Sequence, residues 1–223
     1  MKVLSVAQAA EELGVSPRRV LQLLAAGHLR GEQLGWGWAL DQSDVDRLRN
    51  HRGVAGRPWS PASAWAVLAL ANGDQPHGSP VERSRARQRL AQHGLVGLVD
   101  RLRARAEAQR FYAHPAVLER LILAKGVVRG GVSAASEHDA GLIAHDLVEA
   151  YVARRRLPAM ADRYALDPDG ERPNVLLHVV EDVMWRFADD ASVASWPVVA
   201  VDLIEADDER SQRAGRELIE RRS

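Results

Sequence analysis

The chain of 223 residues contains no cysteine, and its 30 basic residues include only two lysines, Lys2 and Lys125. The absence of cysteine excludes a disulfide framework and any cysteine metal site. No apolar run approaches the roughly 20 residues that a membrane-spanning helix needs, and no signal-peptide pattern precedes the first predicted helix. The sequence therefore predicts a cytoplasmic protein without a membrane partner.

The formal net charge is zero, but the charges are distributed unevenly along the chain. Residues 1–125 carry 18 basic and 11 acidic side chains, whereas residues 126–223 carry 12 basic and 19 acidic ones. The resulting balance of +7 and −7 favours a first part that faces nucleic acid and a second part that does not bind it. Two ordinary solvated surfaces are the alternative interpretation of the same numbers.

The N-terminal residues carry the start and stop signals of two successive helices. Ser5 with Gln8 forms a capping box, and apolar residues follow at helical spacing. Gly14 ends this first helix. Ser16 caps a second helix, which Gly27 ends. The short connection between them predicts a helix-turn-helix.

The second of these helices is amphipathic. At 100° per residue, one arc carries its apolar residues, which are Val20, Leu21, Leu23 and Leu24. The opposite arc carries Arg18, Arg19 and Gln22. Arginine and glutamine make bidentate contacts to base edges, so this arc is typical of a helix that enters the major groove of DNA.

Two short strands are predicted after the second helix, over residues 28–33 and 34–40, and Ser43 then caps a third helix. This order resembles the winged helix-turn-helix domain of MerR-type regulators and phage excisionases. The resemblance implies that the partner is duplex DNA at the protein's own operator. A small helical domain without a nucleic-acid partner is the alternative. The candidate DNA-binding residues are Ser16, Arg18, Arg19, Gln22, His28, Arg30 and Trp36.

The predicted domains are a winged helix-turn-helix over residues 1–52, a linker over 53–60 and a second domain over 61–223. The linker contains glycine and proline and lacks apolar periodicity. Within the second domain, helices are predicted to begin at Pro61 and Pro80 and to cover residues 142–149 and 157–164. Residues 174–180 are the best predicted strand. The fold class is predicted to be mixed, mainly α with small sheets, and the second domain to be α/β or α+β.

Three segments of the second domain look like the C-terminal domain of AbiEi-family antitoxins: AHPAVLERL at 113–121, and residues 150–180 and 196–219. The resemblance implies an antitoxin of a type IV toxin–antitoxin system that represses its own operon. It further implies neutralisation of a co-encoded nucleotidyltransferase-like toxin, without naming toxin-binding residues. Many family members carry a different winged helix at the N-terminus. A stand-alone transcriptional regulator with a C-terminal sensor or partner-binding domain is the alternative.

Catalytic and metal-binding patterns are weak in this sequence. If they lay on one helix, His138 and His145 would be seven residues apart, about two turns, which is too far to hold one zinc ion together. An acidic cluster over residues 205–209 lies at a helix start, where negative charge favours the helix dipole. The glycines of residues 126–131 lack the lysine and hydroxyl residue of a phosphate-binding loop. The sequence therefore predicts no enzyme, no catalytic residue, no metal site and no cofactor, and it leaves the oligomeric state open.

Overall fold

The computed structural model describes residues 3–25, 29, 31–35, 37–42, 44–45, 59–143 and 146–222. The chain divides into two compact units, Met1–Ala55 and Gly56–Ser223, called unit 1 and unit 2 below. Its fold class is mixed and mainly helical with small sheets, as predicted. Residues 53–58 of the predicted linker, and Ser43 at the predicted start of the third helix, lie outside the described residues.

The described residues of unit 1 include a three-stranded sheet and the two helices α1 and α2. Its elements are β1 (Val3–Leu4), α1 (Val6–Glu12), α2 (Pro17–Ala25), β2 (Gly31–Leu34) and β3 (Gly37–Asp41). The central strand β3 pairs antiparallel with β1 on one side and with β2 on the other. The predicted pair of short strands is therefore present. Its turn lies two residues later than the sequence indicated, between Leu34 and Gly37.

The predicted helix starts at Ser5 and Ser16 and the predicted stop at Gly14 are confirmed, whereas Gly27, the predicted end of the second helix, lies outside the described residues. The backbone N–H of Gln8 donates to Ser5 Oγ, and Gln8 Oε1 accepts from the Ser5 N–H at 2.9 Å. Gly14, with φ +58°, then takes the left-handed conformation that reverses the chain. The two helices and the sheet, with Leu29 and Val45 from neighbouring segments, bury one apolar core. Its buried residues are Leu4, Ala9, Ala10, Leu13, Val20, Leu23, Leu29, Leu40 and Val45.

Unit 2 places helices on both faces of a four-stranded sheet. The strands are β4 (Glu107–Phe111), β5 (Val127–Arg129), β6 (Val148–Ala153) and β7 (Val175–Val180). The helices are α3 (Pro61–Ala71), α4 (Pro80–His93), α5 (Val99–Leu102), α6 (Pro115–Ile122), α7 (Gly131–Ala134), α8 (Leu157–Tyr164), α9 (Trp196–Glu205) and α10 (Glu209–Arg222). In the part of the chain that the structure describes, no helix combines the length and apolarity needed to cross a membrane.

The sheet of unit 2 has the order β4-β7-β6-β5. The central pair, β6 and β7, is parallel, and the outer strands run antiparallel to their neighbours. Because side chains alternate along a strand, β6 contributes Val148, Ala150 and Val152 to one core and Tyr151 to the other. The sheet therefore separates two apolar cores, one against α6 and α8 and the other against α3, α9 and α10.

The predicted helix over residues 142–149 is wrong. Residues 141–143 have no regular structure, and the strand β6 begins at Val148 and is buried along its whole length. Both faces of this strand are covered, so it lacks the polar alternation of a half-exposed strand. The predicted helices that begin at Pro61 and Pro80, the helix over 157–164 and the strand that ends at Val180 are confirmed.

Candidate functional sites

The exposed face of α2 carries four of the predicted DNA-binding residues. Ser16, Arg18, Arg19 and Gln22 are exposed, whereas Val20 on the opposite face is fully buried. The other three predicted residues, His28, Arg30 and Trp36, lie outside the described residues. The structure therefore gathers the helical part of the predicted site on one exposed surface.

Hydrogen bonds order this face locally. Ser16 Oγ accepts from the Arg19 N–H at 3.3 Å, as an N-cap side chain does. Arg19 Nη1 donates to Gln22 Oε1 at 3.2 Å, one turn further along the helix. Leu21 differs from its predicted place on the apolar arc, because 44% of its surface is exposed. It lies at the edge of the arc and adds an apolar group beside the polar residues.

A second site is hidden within unit 2, and the sequence did not indicate it. Buried polar and ionisable side chains meet between the sheet and α9, and we call them the buried network. Its members come from a 3-10 turn, β6, β7 and α9, and they are Arg105, Glu149, Tyr151, His178, Asp202 and Glu205. Five of the six are fully or almost fully buried, and Glu205 is half-buried.

Asp202 is the centre of the buried network. Its Oδ1 accepts from Tyr151 Oη at 2.5 Å and from Arg105 Nη2 at 2.6 Å. Its Oδ2 accepts from the Gly131 N–H at 3.0 Å. Arg105 also donates from Nε to Tyr151 Oη at 2.9 Å and from Nη2 to Glu205 Oε2 at 2.8 Å. One carboxylate therefore joins α9 to the sheet, to α7 and to the turn before β4.

Glu149 makes a parallel set of contacts from β6. Its Oε1 lies 2.9 Å from His178 Nε2, and its Oε2 accepts from the Val132 N–H at 3.0 Å. The His178 ring stacks on Tyr151, with the ring centroids 4.7 Å apart and the planes 20° apart. The two central strands are therefore joined by side chains as well as by their backbone ladder.

Two glycines allow the carboxylates to approach α7 this closely. Gly131 has φ +41°, and a Cβ there would lie 1.9 Å from Glu149 Oε2. A Cβ on Gly130 would lie 2.8 Å from the Tyr151 ring and 2.9 Å from Asp202 Oδ2. Gly130 and Gly131, which lack the features of a phosphate-binding loop, thus leave room for the protein's own carboxylates.

The ionisation of the network follows from its burial and its charges. Burial acts to lower the pKa of Arg105, but the charges of Glu205 and Asp202 outweigh it and raise the pKa. Burial raises the pKa of Tyr151 well above its usual value, so the phenol keeps its proton and donates to Asp202. Burial also acts to lower the pKa of His178, but the charge of Asp202 and the hydrogen bond to Glu149 raise it overall.

The buried network contains the one group of potential metal ligands found among the described residues. Atoms of Glu149, His178 and Asp202 lie within 4.8 Å of one another. However, both oxygens of each carboxylate and the facing histidine nitrogen already have protein partners. Arg105 supplies the positive charge that a cation would otherwise provide. The potential metal-ligand atoms therefore already have hydrogen-bond partners within the protein.

The described residues of the weak clusters noted in the sequence have other partners. His138 Nε2 lies 2.8 Å from the Ala194 carbonyl oxygen, and His145 lies outside the described residues. Asp207 and Asp208 of the acidic cluster over residues 205–209 have partners outside the network. Asp207 pairs with Arg110 at 3.1 Å, and Asp208 Oδ1 accepts from the Ser211 N–H at 2.8 Å in the first turn of α10. Only Glu205 joins the buried network.

One signal could have pointed to the network. Asp202 lies within the apolar run VVAVDLI, where a single carboxylate on a buried helix needs a charged or hydrogen-bonding partner. Its main partner, Arg105, lies 97 residues earlier among other arginines. No spacing rule selects Arg105 over Arg101 or Arg103, so the partner could not be identified from the sequence.

Asp202→Asn tests how much the buried network contributes to the stability of the folded chain. Removing this charge leaves the buried Arg105 with Glu205 as its remaining counter-charge, and we expect the free energy of unfolding to fall by about 3 kcal/mol. Asp207→Asn is the matched control, because it breaks the exposed pair with Arg110 and is expected to cost less than about 1 kcal/mol. Urea unfolding of the full chain compares the two variants. Equal midpoints would contradict the central role of Asp202.

His178 makes stability depend on pH. Its pKa is raised in the folded state, so its contribution is complete below the unfolded pKa of about 6.5 and is lost as pH rises through the folded pKa. We expect the free energy of unfolding to decrease over this window, and the decrease to be smaller in His178→Gln. The exposed His77→Gln is the control and should follow the parent chain. A parallel pH profile for the His178 variant would refute this assignment.

Comparison with known proteins gives no further assignment: no family model, no curated protein and no solved structure matches this chain. The interpretation of both sites therefore rests on the residues of the chain itself.

Proposed function

We propose that unit 1 is a winged helix-turn-helix that binds duplex DNA through α2. The observation that carries this proposal is the exposed set of Arg18, Arg19 and Gln22 on a helix whose other face is anchored in the core. Exposed arginine and glutamine side chains on a short, firmly packed helix are what major-groove readout requires. The partner in this proposal is the protein's own operator.

The dimensions and chemistry of α2 suit this role. Its nine residues, at about 1.5 Å per residue, give a length close to the roughly 12 Å width of the major groove. Arginine donates two hydrogen bonds to guanine, glutamine pairs with adenine, and an apolar side chain such as Leu21 packs on the thymine methyl group. The hydrogen bond from Arg19 to Gln22 holds both side chains over the same face before DNA arrives.

The hairpin of β2 and β3 corresponds to the wing in this proposal. The sequence also predicts DNA contacts for His28, Arg30 and Trp36, and basic and aromatic side chains suit contact with the sugar-phosphate backbone. Such contacts set affinity and orientation, whereas the α2 side chains set sequence preference. The protein would thus act as a cytoplasmic repressor without enzymatic activity.

For unit 2 we propose the antitoxin role that its resemblance to AbiEi-family antitoxins implies. The support is the resemblance of residues 113–121, 150–180 and 196–219. These segments contain α8, β7 and α9 and overlap α6, β6 and α10. The partner would be a nucleotidyltransferase-like toxin encoded beside this chain. No described residue is assigned to contact with the toxin.

A regulator whose unit 2 senses a small molecule is the second candidate. A pocket of about 670 Å³ in unit 2 favours it, because this volume suits a drug-sized ligand. The neighbouring reading frame discriminates between the two candidates. A nucleotidyltransferase-like gene there favours the antitoxin, and its absence favours the sensor.

Substitutions on α2 test DNA binding. Arg18→Ala or Arg19→Ala should weaken binding to the DNA upstream of the gene by roughly 1–3 kcal/mol and relax the preference at one base position. Arg213→Ala, an exposed arginine on α10, is the matched control and should bind as the parent chain does. Electrophoretic mobility shifts at fixed salt measure the effect. If the full chain fails to shift this DNA even at low salt, unit 1 is not a DNA-binding domain.

The antitoxin role is tested by separating the two functions in the full chain. The double variant Arg18→Ala and Arg19→Ala should lose promoter repression yet still rescue cells that express the adjacent toxin gene. A reporter assay and a growth assay on the same strains provide the two measurements. If the parent chain, present as folded protein, gives no protection from that toxin, the antitoxin proposal fails whatever the DNA result.

A further inference from the structure

The pocket of unit 2 has a chemistry that identifies a class of ligand. It lies between α3, α4 and the segment over residues 186–198, and its volume is about 670 Å³. Small-molecule sites are commonly clefts of roughly 300–1,000 Å³ with apolar walls and a few converging polar groups. All of its lining residues belong to unit 2, so the site is complete within that unit.

One side of the pocket is apolar and aromatic. Trp65 and Phe187 form this wall, with ring centroids 5.4 Å apart and planes nearly perpendicular. Leu68 and Val198 extend the apolar surface, and small alanines on α3 leave space in front of it. Trp65 is fixed in place because its indole N–H donates to the Arg105 carbonyl oxygen at 3.0 Å. A flat apolar group can therefore pack against a rigid aromatic surface.

Three arginines line the same pocket. Arg85 and Arg89 are four residues apart on α4 and so share one helix face, and Arg186 comes from the segment after β7. Among the residues that the structure describes, no ion pair within 4.0 Å joins any of the three to a carboxylate. Arg89 instead lies 4.3 Å from the centre of the Trp59 ring, and Arg186 donates to the carbonyls of Val183 and Trp185.

The carboxylates that line the pocket already have other partners. Glu82 Oε2 accepts from the Ser79 N–H at 2.7 Å and from Ser79 Oγ at 2.9 Å, as the capping box of α4. Asp74 Oδ2 accepts from Asn72 Nδ2 at 2.7 Å. With three arginines against these two acids, the lining keeps an excess of positive charge. The charge of Arg85 contributes to the lowered pKa of Glu82, after the hydrogen bonds from Ser79, so this arginine is partly balanced. Hydrogen bonds from arginine to an anion are about twice as strong as neutral ones, so the remaining excess of arginine favours an anionic ligand.

We propose that this pocket binds a small organic anion. The apolar, flat part of the ligand packs on Trp65 and Phe187, and its acidic group, a carboxylate, sulfonate or phosphate ester, is held by Arg85, Arg89 and Arg186. This assignment does not depend on the proposed DNA-binding or antitoxin function, since it uses only the residues of the pocket.

The test uses the full chain and two fluorescent probes of the same shape. The anion 1-anilinonaphthalene-8-sulfonate should bind saturably at one site, and uncharged N-phenyl-1-naphthylamine should bind at least ten-fold more weakly. Arg85→Gln should weaken the anionic probe by about ten-fold, which corresponds to about 1.4 kcal/mol, and should leave the uncharged probe unchanged. Arg87→Gln is the matched control, because it lies on the exposed part of the same helix and does not line the pocket.

A second variant tests the position of the site. Ala69→Trp fills the space in front of the aromatic wall and should abolish binding of both probes, provided that its circular dichroism matches the parent chain. Competition with benzoate, benzenesulfonate and phenyl phosphate then identifies the preferred acidic group. Equal binding of the anionic probe by the Arg85 and Arg87 variants would overturn the proposal. Equal affinity of the parent chain for the two probes would do the same, even if Ala69→Trp does not fold.

Discussion

The ion pair between Asp202 and Arg105 is the constraint on which the architecture of unit 2 depends. Two buried charges lose their hydration, and this loss is offset only where further hydrogen bonds satisfy their remaining atoms. Tyr151, Glu205 and the backbone of Gly131 supply those bonds. Each partner belongs to a different element, so satisfying one charged pair fixes the positions of α9, β6, α7 and the turn before β4. The glycines at 130 and 131 follow from the same requirement, because a side chain at either position would occupy the space of the carboxylates.

The two units differ in where their charged side chains lie: the buried network of unit 2 is enclosed, whereas the arginines of α2 in unit 1 are exposed. Unit 2 encloses its charged centre and satisfies it internally, which makes that centre a structural element. In unit 1 the arginines of α2 stay exposed, and Val20, Leu23 and Leu24 pack the other face of the helix against the core. A charged side chain that does not contribute to folding remains available for a partner, because binding then breaks no internal ion pair. This difference is the physical reason why a recognition role is proposed for α2 and not for the buried network.

Local signals in the sequence predicted most of the helices but not the contacts between distant elements. The capping boxes at Ser5 and Ser79 and the prolines at the helix starts depend on a few neighbouring residues, so they could be identified directly. The strand β6 could not, because it is buried on both faces and its pattern matches a buried helix as well as a strand. The exposed face of α2 was predicted for the same reason as the caps, since helical periodicity alone defines it. The network joins residues 100 positions apart, and the pocket joins Ala62 to Val198, which are 136 positions apart, and periodicity does not relate residues over such distances.

The aromatic residues that line the pocket pack against Tyr151 of the buried network, and this packing holds the proposed ligand site in place. Trp65 faces the pocket, and its ring packs edge-on against Tyr151, with centroids 5.9 Å apart. Phe187 likewise contacts Tyr151 at 5.2 Å. Tyr151 is itself held by Asp202 and Arg105, so the aromatic surface offered to a ligand is backed by the most firmly bonded part of the unit. This surface is already ordered in the folded protein, so a ligand that packs on it loses no binding free energy to ordering its side chains.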